Sequence, residues 1–408
     1  MNADRPLTRA ASTRLCVLVA VAFFSVQSAR AQQTSIERGE YLARAGDCVS
    51  CHTANGGVPF AGGLRLDTPF GYMLSPNITP DTDTGIGRWS SADFYRALHD
   101  GVNKHNKDMY PTMPYDFYTR VTHADIDAIY AYLRTVKPVR NPVDVNHLDF
   151  PFNQRWAMGV WRELYFTEGA YKPDATQSAT WNRGAYLVEG LGHCSDCHSP
   201  RNLMGGIEKS KDFTGAVIDG WFALDLTSDI ATGLGSWSVD ELATYLKSGV
   251  AKDKTTTLGP MAEVIRNSLS YLTDADRQAM AEYLKSIPPD SRLRTGRPRP
   301  DPTVQRGAQL YTDNCSGCHQ AQGRGIPGVF PPLAGNGVVV AADPNNILKV
   351  VDKGIPARAG FVAMPSFATQ LTDQQVAEIA NYVRTSWGNK AAPNATPEMV
   401  AKMRATQN

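Results

Sequence analysis

The chain repeats one five-residue pattern three times, two cysteines separated by two residues and followed directly by histidine. The copies are Cys48-Val49-Ser50-Cys51-His52, Cys194-Ser195-Asp196-Cys197-His198 and Cys315-Ser316-Gly317-Cys318-His319. Thiols at this spacing can add across the two vinyl groups of a porphyrin. Only the adjacent position then brings an imidazole beneath the iron, so the pattern is the attachment signature of c-type haem. The other uses of a cysteine pair fit less well. Structural zinc draws four ligands from tightly spaced knuckles. A thioredoxin-like pair is found near a βαβ pattern, whereas the chain around all three pairs reads as helix and loop. A disulfide framework has no need of histidine after every pair. Six cysteines lie in the pairs, and the seventh, Cys16, lies in the N-terminal apolar segment. The pattern predicts three covalently bound haem c groups, on Cys48 and Cys51, Cys194 and Cys197, and Cys315 and Cys318. His52, His198 and His319 are then the axial ligands.

Haem iron in cytochromes c takes methionine opposite histidine, a soft thioether that raises the potential. Met113 in Tyr110-Pro111-Thr112-Met113-Pro114-Tyr115, Met261 in Leu258-Gly259-Pro260-Met261-Ala262 and Met364 in Phe361-Val362-Ala363-Met364-Pro365-Ser366 hold one place in the repeat. They are the predicted sixth ligands, with Met261 alone lacking a following proline. Met73, Met109, Met158, Met204 and Met280 read as packing or surface residues. His99, His105, His123, His147 and His193 read as solvated rather than ligating. Iron closed on both sides leaves no position for a substrate. No Gly-x-Gly-x-x-Gly element follows a strand, and no nucleophile with a paired base stands out. The reading is therefore electron transfer, with no catalytic residue assigned. A multihaem peroxidase, which needs a five-coordinate haem, and a free carrier are the alternatives.

The elements that must hold these groups repeat with them. Arg38-Gly39-Glu40-Tyr41-Leu42, Arg183-Gly184-Ala185-Tyr186-Leu187 and Arg306-Gly307-Ala308-Gln309-Leu310 precede the pairs. Thr122, Thr273 and Thr372, with Asp125, Asp276 and Gln375 three residues on, have capping-box spacing or its acidic variant. They open closing helices in which Ile126, Ile129, Tyr130 and Leu133, or Val376, Ile379, Ala380 and Val383, form one apolar face. The predicted fold is all-α, with three tandem cytochrome c-type domains at 32–140, 175–290 and 303–390. An aromatic connector spans 141–174, a Pro-rich linker 291–302 and a polar tail 391–408. The connector run from Phe150 to Phe166 suits packing between neighbouring domains, or contact with a partner or membrane surface.

Composition is that of a soluble protein, 42% hydrophobic and 20% charged. At the N-terminus Arg5, Arg9 and Arg14 precede an apolar run from Leu15 to Val26, and Ala29-Arg30-Ala31 fits a cleavage site. That order predicts a signal peptide at 1–31 and an exported chain. Cleavage removes Arg5, Arg9, Arg14 and Arg30 against Asp4, taking the formal charge from +1 to −2. No basic stripe suggests nucleic acid.

The chain also resembles the triheme cytochrome c subunits of bacterial membrane-associated dehydrogenases, the gluconate, alcohol, sorbitol and fructose dehydrogenase type. The resemblance rests on Arg38 through Cys48, Pro59-Phe60-Ala61-Gly62-Gly63, Asn77-Ile78-Thr79-Pro80-Asp81 and Thr84-Gly85-Ile86-Gly87. It continues in Gly184 through Cys194, Leu234-Gly235-Ser236-Trp237-Ser238 and Phe330-Pro331-Pro332-Leu333-Ala334-Gly335-Asn336. It implies a catalytic flavoprotein or quinoprotein as partner, with a molybdenum hydroxylase that oxidises aldehydes or N-heterocycles as the alternative, a small third subunit in some complexes, and ubiquinone or a terminal oxidase as acceptor. It also implies a place at the periplasmic face of the inner membrane. In such a fold Gly39, Gly184 and Gly307 are where first and last helices cross, and Tyr132, Tyr283 and Tyr382 match on the closing helices. One departure concerns the tail, where Met399, Val400 and Met403 form a stripe too small for an anchor. Peripheral association through partners is the expectation.

Overall fold

The computed structural model describes residues 32–251, 254–290, 302–357 and 361–405. The expected signal peptide and most of the Pro-rich linker lie outside the described residues. Each unit is framed by an opening and a closing helix. The opening helices are residues 32–45, Ala179–Tyr186 and Pro302–Asn314, and the closing helices are His123–Leu133, Asp274–Ser286 and Asp373–Thr385. A Cβ on Gly39 would stand 1.9 Å from the Ala128 carbonyl oxygen, on Gly184 1.9 Å from that of Ala279, and on Gly307 2.1 Å from that of Glu378. Only glycine permits backbones this close.

All three closing helices start as expected, the threonine hydroxyl accepting from the backbone N–H three residues on. Only the third completes the box, with the Gln375 side chain accepting from the Thr372 N–H at 2.9 Å. In the first two the carboxylate is taken elsewhere. Asp125 accepts from Arg38 Nε at 2.7 Å and from the Tyr186 hydroxyl at 2.6 Å. Asp276 accepts from Arg183 at 2.8 and 2.7 Å and from the Tyr41 hydroxyl at 2.5 Å. Each aspartate is thus held by its own unit's arginine and by a tyrosine on the other unit's opening helix. The exchange is reciprocal, and it joins the first and second units.

Burial alone would raise the Asp276 carboxyl, but hydrogen bonds from Arg183 and Tyr41 outweigh it and hold it below its ordinary value. A depressed carboxylate contributes stability above its unfolded value, about 3.9, and loses it as pH falls through the folded value. The junction is therefore expected to weaken below about pH 4. Urea denaturation across pH should show Asp276→Asn flattening that acid loss and costing about 2 kcal/mol at neutral pH.

The first two units share one hydrophobic core, in which Leu42, Ile126 and Ile129 join Leu187, Leu191, Met280 and Leu284. The third has its own, built on Tyr311, Leu348, Val376, Ile379 and Val383. The fold is mainly helical but carries short antiparallel ladders absent from the all-α expectation. Arg65–Thr68, Gly71–Leu74 and Asn146–Leu148 form one sheet, Ala216–Ile218 with Trp221–Ala223 a second, and Val250–Ala251 with Thr255–Thr256 a third. Close antiparallel returns satisfy their backbone groups by pairing, which no side-chain period announces at two or three residues.

The residues expected to form a polar tail are part of the third unit. The helix Pro397–Ala405 buries Val400 and Met403 against the closing helix. Arg404 bridges Asp352 and Asp373 at 2.7 and 2.6 Å. Arg384, fully buried, donates to the carbonyls of Val339 and Ala392 at 3.0 Å each. The small apolar stripe is a packing face. Among the described residues no helix is long and apolar enough to cross a membrane.

Candidate haem-binding centres

The paired cysteines stand on short helices, Cys48–Cys51, Cys194–His198 and Ser316–His319. The residue before each of the first two, Asp47 and His193, is left-handed at φ 49° and 34°. Such backbone costs on the order of 1–3 kcal/mol and persists only where its surroundings impose it. At Asp47 the Ser50 hydroxyl donates to the carboxylate at 2.6 Å. At His193 the ring meets Tyr118 edge-on, centroids 5.7 Å apart, and the Tyr118 hydroxyl donates to the Gly46 carbonyl at 2.9 Å. One tyrosine of the first unit therefore touches the approach to both attachment helices.

The three histidines share one arrangement. Nδ1 of His52 lies 2.8 Å from the Pro76 carbonyl oxygen, that of His198 2.6 Å from Leu224 and that of His319 3.1 Å from Pro331. A carbonyl only accepts, so Nδ1 carries the proton and Nε2 keeps its lone pair. Burial lowers all three imidazoles from their ordinary value, which keeps them neutral. A neutral imidazole oriented by a backbone carbonyl is a prepared metal ligand.

The methionines hang from a second shared device. A glycine at positive φ stops the preceding helix in each unit, Gly101 at φ 63°, Gly249 at 72° and Gly354 at 72°. A short antiparallel pairing follows: Val102 with Asp108, Val250–Ala251 with Thr255–Thr256, and Ile355 with Met364. A Cβ on Gly354 would lie 2.3 Å from the Met364 carbonyl oxygen, so this turn admits no side chain. Met364 exchanges two 2.9 Å backbone hydrogen bonds with Ile355. Met113 is fixed by its N–H on the Tyr110 carbonyl at 3.1 Å, and Met261 opens the helix Met261–Asn267.

In the third unit Cys315, Cys318, His319 and Met364 line one apolar pocket of about 180 Å³. Tyr311 and Phe330 form part of its wall, and the second unit contributes Thr255, Thr256 and Leu258. In the first two units Cys48, Met113, Cys194 and Met261 all pack against the shared core.

A family model described as Cytochrome c matches residues 36–137 and 304–387. The chain is 39% identical over 426 residues to the alcohol dehydrogenase (quinone) cytochrome c subunit of Gluconacetobacter polyoxogenes, covering 96% of this chain and 90% of that one. It is 38% identical over 413 residues to the gluconate 2-dehydrogenase cytochrome c subunit of Pantoea cypripedii, covering 95% and 93%. The chain belongs to the cytochrome c subunits of dehydrogenases. It is also 42% identical over 381 residues to a nicotinate dehydrogenase subunit of Pseudomonas putida, spanning about a third (32%) of that longer protein.

Cytochrome c membership implies covalently bound haem c, and the residues present fit it. Apolar surroundings push the thiols of Cys48 and Cys194 up to about 12 and that of Cys315 up to about 11. A dithiol redox pair or a thiolate metal site needs the opposite shift. Sequence reasoning missed Pro76, Leu224 and Pro331, because they act through main-chain oxygens. A signal existed: Asn77-x-Thr79 and Asp225-x-Thr227 directly follow the first two acceptors, each side chain accepting from the threonine N–H at 2.9 and 2.7 Å. The solvated reading of the five other histidines fails at His99. It is buried, stacks on Tyr95 with centroids 4.8 Å apart and contacts Asp100 at 2.7 Å.

Proposed function

We propose that this cytochrome is an exported triheme electron-transfer subunit. It takes electrons from a flavoprotein or quinoprotein dehydrogenase that oxidises an alcohol, sugar or sugar acid, and delivers them to ubiquinone or a terminal oxidase. On this reading it works at the periplasmic face of the inner membrane, held there through its partners. The observation that carries the reading is the threefold pairing of a vicinal thiol pair with a neutral, carbonyl-oriented imidazole. Bound haem supplies one-electron chemistry through its iron. The chain's part would be to hold it: the cysteines would form the covalent links, and Nε2 of His52, His198 and His319 with the thioethers of Met113, Met261 and Met364 would bind the iron. The apolar wall excludes water, which favours the less charged ferrous state. A second reading, a partner that oxidises an N-heterocyclic acid, as molybdenum hydroxylases do, is favoured by the 42% identity to the nicotinate dehydrogenase chain.

Purification of the native complex tests both. Three haems per chain by pyridine haemochrome, all low-spin, with a co-purifying dehydrogenase, is the expected result, and the donor that reduces the haems separates the two readings. A high-spin haem in the wild-type chain would contradict it. Met261 has its own test, since it lacks the proline that follows Met113 and Met364. Met261→Ala should turn one haem of the three high-spin and open it to carbon monoxide. Unchanged spectra would remove Met261 from the ligand set.

A further inference from the structure

We propose that the outward face of the connector helix Ala157–Tyr165 is the surface on which the partner dehydrogenase docks, and that it takes a protein face with an apolar centre and a basic rim. This rests on the electron-transfer reading above. The helix divides the aromatic connector in two. Met158 and Trp161 turn inward and pack with Met73, Tyr110 and Tyr115, and Trp161 Nε1–H donates to the Met204 carbonyl at 3.1 Å. Trp156, Val160 and Leu164, spaced one helical turn apart, turn outward and are exposed. Phe150 (79% exposed) and Leu203 (95% exposed) with Met204 extend the stripe on either side. Beneath these residues Phe70 meets Phe152 with centroids 4.3 Å apart, and Gly205 and Gly206 lie beside the Phe70 and Tyr165 rings. Trp156, Val160 and Leu164 adjoin at i, i+4 spacing, and a run of exposed apolar side chains on one helix face marks an interaction site, whereas single exposed apolar residues do not.

Charge decides what covers it. From residue 149 to 168 the exposed charged side chains are Asp149, Glu163 and Glu168, all acidic, with Lys107 an exposed base next to the Asp108 that the helix holds, so the rim is acidic on balance. The two arginines of the stretch are turned inward. Arg155 donates to the Asp108 carbonyl at 2.7 Å, and Arg162 pairs with the Asp108 carboxylate at 3.2 Å. A helix that lies on an anionic membrane presents Lys and Arg along its polar flank, the reverse of this rim. A second copy would bring acidic rim against acidic rim, which like-charge repulsion disfavours. A partner protein with lysine or arginine around an apolar centre satisfies both the stripe and the rim.

The test uses the native complex with Val160→p-benzoylphenylalanine as photo-crosslinker and mass spectrometry as readout, with Val217→p-benzoylphenylalanine as an exposed control on the second unit. The expected result is a crosslink from position 160, and none from 217, to a Lys- or Arg-bearing peptide of the dehydrogenase. A Trp156→Ser/Leu164→Ser chain with unchanged haem spectrum should bind the purified dehydrogenase at least tenfold more weakly. Crosslinks only to lipid or to a second copy, or a wild-type dissociation constant in the double variant, would overturn the proposal and leave the electron-transfer reading standing. Failure of any dehydrogenase to co-purify with the wild-type chain would overturn both.

Discussion

Gly184→Ala is expected to destabilise the first two units by about 2 kcal/mol, although alanine is the better helix former. The substitution gains about 1 kcal/mol of helix propensity. Against that, the new Cβ would stand 1.9 Å from the Ala279 carbonyl oxygen, 2.5 Å from its carbon and 2.9 Å from the Tyr283 Cβ. Two of these atoms are backbone, so no rotamer change relieves the contact and the helices must separate. Overpacking of a close core costs about 3 kcal/mol at the upper end of its usual range, and the clash therefore outweighs the propensity. The damage should not stop at the second unit. Leu187 and Leu191, just beyond the crossing, belong to the core that also contains Leu42 and Ile129. Urea denaturation followed by circular dichroism checks this, with Gly317→Ala as control, since a Cβ there meets nothing within 4 Å. The control, also in a helix (Ser316–His319) and free of that clash, should be no less stable than the wild type. A Gly184→Ala chain as stable as the wild type would show that the helices do not meet at this glycine.

Cys315→Ser with Cys318→Ser should reduce the haem content from three per chain to two, by pyridine haemochrome, and uncouple the third unit's melting from the rest. These residues share an apolar pocket of about 180 Å³ with His319 and Met364. Left unfilled, a cavity of that size costs on the order of 4 kcal/mol, at about 24 cal/mol per Å³. That is a large share of the 5–15 kcal/mol typical of a domain. The cost falls mainly on a unit whose core is separate from that of the first two, so a calorimetric scan should show an early transition for the third unit and at most a small shift for the second, which lends Thr255, Thr256 and Leu258 to the pocket wall. A single transition in which all the units melted together would contradict the separate cores. The two variants thus probe opposite architectures, one core shared by two units and one held by a single unit.

The candidate haem ligands can be proposed from sequence because their chemistry is local. A thiol pair, its histidine and a repeated methionine are read by residue type and spacing, and helix faces by their period. The capping positions were legible for the same reason, but their full use was not. Asp125 and Asp276 read as partners for Thr122 and Thr273, yet their carboxylates bind Arg38 and Tyr186, and Arg183 and Tyr41. Tyr41 and Asp276 are 235 residues apart, and no local pattern links them. Pro76, Leu224 and Pro331 were missed because a carbonyl oxygen has no residue identity. The stripe of Met399, Val400 and Met403 was visible, but a period shows that a helix has an apolar face and not what covers it. The same holds for the connector, where Trp156 and Trp161 look alike in sequence and only packing turns one out and the other in.

The candidate chemistry of this protein is written along the chain: three Cys-x-x-Cys-His patterns, their candidate iron ligands and the helices that frame them all lie within short stretches. How the units combine is a matter of tertiary packing. Two share a core through reciprocal tyrosine–aspartate contacts, the third closes on its own C-terminal helix, and one connector face is left to solvent. The physical reason is that covalent and ligand geometry depends on neighbours along the chain, whereas burial depends on which distant surfaces remove each other from water.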